Sequence, residues 1–256
     1  MGLGSPQITH SDGGPVSEQD NRRSELNDAV EDATGFNFRS LRTISDLIFK
    51  PNRVFQAYAA RDRATYTPAL RLWMGIIGLQ VLVSALWGGW AGVIRRQADA
   101  NPAVRDLYAQ ASGGQLDEFF QHYGDAMGVA QPIIVGGMTA LSVFVLGWFR
   151  KELAWSSRLN IAMGVLSVGS VVGLMLMPVV VSPELMPWMG LSTLLIVLAY
   201  FLTFLRGAPG VLADTAGGAW IKAIIYSVVL ILLIGLGGLL MTLITITYAV
   251  VRTTAA

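Results

Sequence analysis

Polarity along the chain divides it into a polar opening, a short mixed segment and five long apolar runs. The runs fall at about 69–94, 127–149, 159–181, 187–205 and 221–251. Each reaches the roughly 20 residues needed for a helix to cross a bilayer core. None has a charged residue near its centre, and Arg71 and Lys222 stand at run edges. The last run is longer than a crossing requires, which predicts tilt or projection into the interface.

The mixed segment has its own period. In FNFRSLRTISDLIFK, residues 36–50, the positions Phe38, Leu41, Ile44, Leu47 and Ile48 recur at helical spacing, with Arg39, Arg42 and Asp46 on other faces. This predicts an amphipathic helix in the headgroup region. Pro51 marks a turn or a first helical position, Val54, Phe55 and Tyr58 continue the apolar stripe, and Pro68 opens the first span. The expected fold class is therefore all-α integral membrane, with five transmembrane helices preceded by an interfacial amphipathic helix. The expected organisation is a disordered polar tail at 1–35, a basic interfacial segment at 36–66, and a membrane domain at 67–256 with an external loop at 95–126.

Composition agrees with this class. Of 256 residues, 53% are hydrophobic and 14% charged, with a mean hydropathy of +0.54; soluble domains carry about 25% charged residues. The absence of cysteine excludes disulfides, thiolate metal sites and cysteine nucleophiles. Imidazole comes only from His10 and His122. Residues 1–35 hold no apolar core of the kind a signal peptide needs. Pro6 stands where a myristoylation signal wants Ser or Thr.

Charge gives the orientation. Fourteen of the eighteen Lys and Arg residues precede or open span one, or fall between spans two and three or between four and the start of five. By the positive-inside rule this predicts a bacterial inner-membrane protein with a cytoplasmic N-terminus and an external C-terminus. Trp73, Trp87, Trp90, Trp148, Trp155, Trp188 and Trp220 all lie at or just beyond run ends, as an interfacial belt would.

The candidate binding residues sit in YAARDRATYTPALRL, residues 58–72. Arg61, Arg63 and Arg71 flank the predicted cytoplasmic boundary, with Tyr58 and Tyr66 at headgroup depth. Arginine forks bind phosphate in two-point fashion, and tyrosine suits the interface. A lipid-headgroup or partner site at these five residues is one reading; an orienting, snorkelling anchor is the other. No base, nucleophile or metal set accompanies them.

The positions Pro51, Tyr58, Arg63, Tyr66, Pro68, Leu70, Arg71 and Leu72 resemble the signature of a poorly characterised bacterial membrane-protein family, in which a Pro–Tyr–Gly–Arg–Tyr–Pro segment leads into the first span. Arg61 stands where that family often has glycine, Ala69 where it often doubles the proline, and the upstream cysteine pairs of many members are absent. The five-span plan is also similar to Yip-domain proteins, associated in eukaryotes with vesicle traffic. Both resemblances imply a non-enzymatic membrane protein and bring no catalytic residues.

Elsewhere the chemistry is sparse. The 95–126 loop predicts short helices broken at Pro102 and Gly113–Gly114. Glu118 and His122 share a helix face there, which reads as a solvated face more readily than as a metal site. Gln80, Ser84, Gln131, Thr139, Asn160, Ser167, Ser170 and Ser227 are polar residues within or beside spans, read as interhelical hydrogen-bonding groups or as a solute path. No ionisable residue marks a midplane. Gly88/Gly92, Gly169/Gly173 and the strip Gly235, Gly237, Gly238 predict close helix packing. Asp214 reads as an N-cap or loop residue, and GAPGVLADTAGG lacks the ending of a phosphate loop.

These readings lead to a non-catalytic scaffold, partner or bilayer-organising protein without a cofactor. Its expected partners are the bilayer, anionic headgroups and a membrane protein or second copy, with no nucleic acid. The alternative is a small-solute transporter or permease.

Overall fold

The computed structural model of the protein describes residues 38–62 and 64–255, apart from the side chains of Pro183 and Met186. The tail expected at 1–35 and the candidate residue Arg63 lie outside the described residues.

Every regular element among the described residues is helical. Helix α1 (Phe38–Phe49) is followed by α2 (Pro51–Ala59), whose proline occupies the first turn, where its missing N–H costs nothing. Helix α3 (Ala69–Ser84) runs through one 3-10 turn to Trp87. There Gly88 and Gly89 adopt φ of 81° and 68°, a left-handed pair that side chains resist, and a separate helix, α4 (Gly89–Asp99), begins. The run expected as one span at 69–94 is thus two elements. Helix α5 (Pro102–Ala111) and the turn at Gly113–Gly114 break the following segment where the sequence predicts.

Helix α6 (Leu116–Leu141) continues past a turn at Ser142 into α7 (Val143–Phe149). Helix α8 (Trp155–Met175) ends before Pro178, which takes the first turn of a short α9 (Met177–Val181), the place where its missing N–H is tolerated. Helices α10 (Met189–Gly207) and α11 (Ala216–Thr254) complete the chain.

Five helical stretches are long and apolar enough to cross a membrane: Ala69–Trp87, Leu116–Phe149, Trp155–Met175, Met189–Gly207 and Ala216–Thr254. The chain is a multi-pass membrane protein. With 39 residues, α11 is about 58 Å long at 1.5 Å per residue, nearly twice a hydrocarbon core of roughly 30 Å. It packs along α6, the other long helix. Helix α8 is central: half of its apolar window is buried, against a third or less in the other four, and it touches α2, α3 and α10.

The main core runs without a break from the segment before the spans into the bundle. Leu47 of α1 and Val54, Phe55 and Tyr58 of α2 join Trp73, Ile161, Phe204 and Tyr226 in one buried cluster. A second, smaller core at the opposite end gathers Ala98, Phe119, Phe120, Tyr123 and Ala249, with the Tyr108 ring tilted against that of Phe119 at 5.1 Å between centroids. The segment at 95–126 is therefore packed on its own aromatic cluster.

The glycines divide in function. A side chain at Gly169 would lie 2.0 Å from the ring of Tyr200, so this glycine lets α8 and α10 meet. Gly235 and Gly238 have nothing within 4 Å and face outward.

Candidate functional site

The segment between α1 and the first span folds as a clasp, built from short polar side chains that replace helical hydrogen bonds with tertiary ones. Thr43 donates its hydroxyl to the Arg39 carbonyl (2.7 Å) and accepts the Thr67 amide (3.0 Å). The Ser40 and Thr67 hydroxyls lie 3.2 Å apart, both buried. The Tyr58 hydroxyl donates to the Thr67 carbonyl at 2.9 Å. A loop that would otherwise bury bare amides is in this way tied to α1 and α2.

The acidic residues complete the turn. Asp62 accepts from the amides of Ala64 (2.8 Å) and Thr65 (3.1 Å) and from the Thr65 hydroxyl. These bonds, the hydroxyl first, hold its carboxyl below the usual range. Asp46 accepts from the Tyr66 hydroxyl at 2.8 Å, while Arg42 lies 3.9 Å from Asp46 and stacks over the Tyr66 ring. Burial, and then the Asp46 carboxylate, push the Tyr66 hydroxyl up. Burial does the same to Tyr58, so both remain proton donors at any physiological pH.

A third helix closes the clasp. Asn160 of α8 accepts the Ala69 amide (3.0 Å) and donates to the Ser156 carbonyl (3.0 Å). Helix α3 begins at Pro68 without a side-chain cap of its own, so Asn160 caps the first span from 91 residues away. Cations hold the neighbouring helix ends. Arg206 donates to the carbonyls of Ile48 (3.1 Å) and Phe49 (2.5 Å) at the end of α1, and Lys222 to those of Phe149 (3.1 Å) and Leu212 (2.6 Å). The carbonyls of Ile48, Phe49 and Phe149 close helices, the positions a helix dipole favours for positive charge, while that of Leu212 lies in the turn before α11. Asn52 bridges to Gly207 and Pro209, and Gly207 admits the Phe55 ring, which an added Cβ would meet at 2.5 Å.

Between clasp and α8 lies a polar cleft of about 220 Å³, lined by Tyr58, Arg61, Asp62, Tyr66, Ser157 and Asn160 among others. Of the sequence-predicted residues, Tyr58, Arg61 and Tyr66 thus meet at one cleft. Tyr58 and Tyr66 are buried walls whose hydroxyls bond within the chain, whereas Arg61 is exposed at the rim. Arg71 is exposed on α3 and does not line the cleft. The contribution of α8 was not foreseen. Asn160 is visible in the sequence as a polar residue beside a span, but nothing local to it names the Ala69 amide.

The remaining candidates have partners within the fold. Asp214 pairs with Arg150 at 2.9 Å, and Thr215, one residue on, is the N-cap of α11, accepting the Gly218 amide at 3.0 Å. The His122 ring meets Tyr248 edge-on, and the described residues contain no cluster of three or more His, Asp or Glu able to hold a metal. Against family models, curated proteins and solved structures alike, the chain finds no match.

Proposed function

We propose that this chain is a non-catalytic protein of the bacterial inner membrane, with its N-terminus cytoplasmic and its C-terminus outside, that organises the bilayer surface or a membrane partner through the clasp. The observation that carries the reading is the outer face of α1. Phe38, Leu41 and Phe49 are 75%, 59% and 65% exposed, yet α1 is not one of the five spans. Large apolar side chains turned outward on a helix beside a bundle fit an interfacial position. Exposed Arg42, Lys50, Arg53, Arg61 and Arg71 accompany them, the pairing that anionic headgroups favour.

Arg61 adds a second argument. It holds a left-handed φ of 59°, which costs a side-chain-bearing residue roughly 1–2 kcal/mol. It stands where the family it resembles often has glycine. An arginine kept at such a position supports a use for its guanidinium at the cleft rim. Arg63 belongs to the same proposal.

The test is lipid retention in nanodiscs of mixed phosphatidylglycerol and phosphatidylcholine, read by native mass spectrometry. The wild-type chain retains phosphatidylglycerol selectively. Arg61→Gly with Arg71→Gln loses that selectivity while the turn, relieved at residue 61, stays folded. Equal retention by both chains would overturn the reading.

A further inference from the structure

We infer that the half of the bundle remote from the clasp contains a binding site for a small neutral solute carrying both a hydrogen-bond donor and an acceptor, such as an alcohol or a primary amide. A cavity of about 120 Å³ lies between α3, α4, α6, α8 and α9. That is room for about four waters at roughly 30 Å³ each. Three polar groups line it: the Gln80 carboxamide, the Gln131 carboxamide and the Trp90 indole. Val93, Met177 and Val181 form apolar walls.

These polar groups are largely unspent. The Trp90 indole N–H is buried and has no hydrogen-bond partner. Gln80 commits its amide nitrogen to the Ser170 carbonyl at 3.0 Å, and no donor among the described residues reaches its oxygen. The Gln131 carboxamide makes no hydrogen bond among the described residues. It adjoins Pro132, which lies inside α6 and cannot donate to the Gly128 carbonyl, and Gly128 faces the Trp90 ring. An unpaired amide or indole away from water costs about 1–3 kcal/mol by mutational measures. Of the three, the indole N–H is the fully buried group without a partner, and the two carboxamides are the polar lining that an occupant of the cavity would meet.

The lining sets the occupant's chemistry. No ionisable side chain lines the cavity, so an ion entering it would lose hydration without a counter-charge. The indole needs an acceptor, the Gln80 oxygen needs a donor, and Gln131 supplies either. Hydroxyl and carboxamide groups meet all three requirements; a purely apolar guest meets none.

The experiment uses the full chain in nanodiscs with ¹⁵N-labelled tryptophan. Seven indole signals are expected, and Trp90→Phe identifies its own by disappearance. Titration with acetamide and, separately, with glycerol is expected to move the Trp90 signal saturably with at least one of them. Gln131→Leu is expected to weaken that response at least tenfold while the other six signals keep their positions, which shows the variant folded. A Trp90 signal that moves with neither probe, or all seven drifting together, means that the cavity holds water only and overturns the inference. If Gln131→Leu disturbs the other six signals, Gln80→Met carries the same comparison from the facing helix, and an unchanged response there also overturns it.

Discussion

The two ends of the bundle use polar residues in opposite ways. At the clasp end, Thr43, Tyr58, Thr67 and Asn160 find each other or a backbone group. At the far end, the Trp90 indole N–H is buried without a partner, and the Gln131 carboxamide lines the same cavity with no hydrogen bond among the described residues. Both sets sit beside apolar spans, where an unmet hydrogen bond is expensive. The difference shows that polarity near a span is not one signal. Where side chains are short and close to helix ends, they serve the backbone; where long amides and an indole converge on empty volume, they await a guest.

The largest expected effect tests the close packing under the clasp. Gly207→Val places atoms inside the Phe55 ring and is expected to destabilise by about 3 kcal/mol, measured by unfolding in mixed detergent–SDS micelles. Gly238→Val, whose Cβ meets open space, is the control and should change little. Similar losses at both positions would mean that the clasp end is not the tighter one.

Next in size is the cap supplied from a distant helix. Asn160→Leu leaves the Ala69 amide without its acceptor and is expected to cost about 1–2 kcal/mol. Amide exchange at residues 69–71 should accelerate in the same variant, since the first turn of α3 loses its anchor. Unchanged exchange there would detach Asn160 from the start of the span.

A smaller effect is expected from acid. Asp62 is held below the usual carboxyl range by Thr65 and the neighbouring amides. A depressed folded value means that its contribution is complete above the unfolded value of about 3.9 and is lost as pH falls through the lower folded one. Exchange protection of the Ala64 and Thr65 amides, corrected for intrinsic rates, should stay level from neutral pH and then drop in that acid window. Asp62→Asn should flatten the profile.

Hydropathy made the five spans legible, because the bilayer imposes length and apolarity on each crossing. Their internal breaks were less so. Gly88–Gly89 and Pro178 lie inside runs that average apolar, and a window long enough to find a span smooths over a two-residue turn. The clasp was legible only as composition. Tyr58 and Tyr66 read as interfacial amphiphiles because their partners, Thr67 and Asp46, are chosen by the loop's path and not by any periodicity. The apolar stripe of α1 divides for a related reason: Leu47 is buried against the bundle while Phe38 and Leu41 turn outward, and helical spacing alone does not distinguish two apolar neighbours from one.

The smallest expected change is also the sharpest contrast between the ends. Gln131→Leu removes a carboxamide that makes no hydrogen bond among the described residues and lines a cavity with apolar walls. Replacing an unsatisfied polar group with an apolar one of similar size is close to neutral or slightly stabilising, so the unfolding free energy should shift by about 0–1 kcal/mol upward. Asn160→Leu is the same kind of substitution, one amide for one leucine beside an apolar span, with the opposite sign expected. A loss at position 131 as large as that at 160 would mean that Gln131 is held within the fold, and the two ends would then follow one rule. A gain at 131 with a loss at 160 separates an amide that builds the protein from one that the protein holds open.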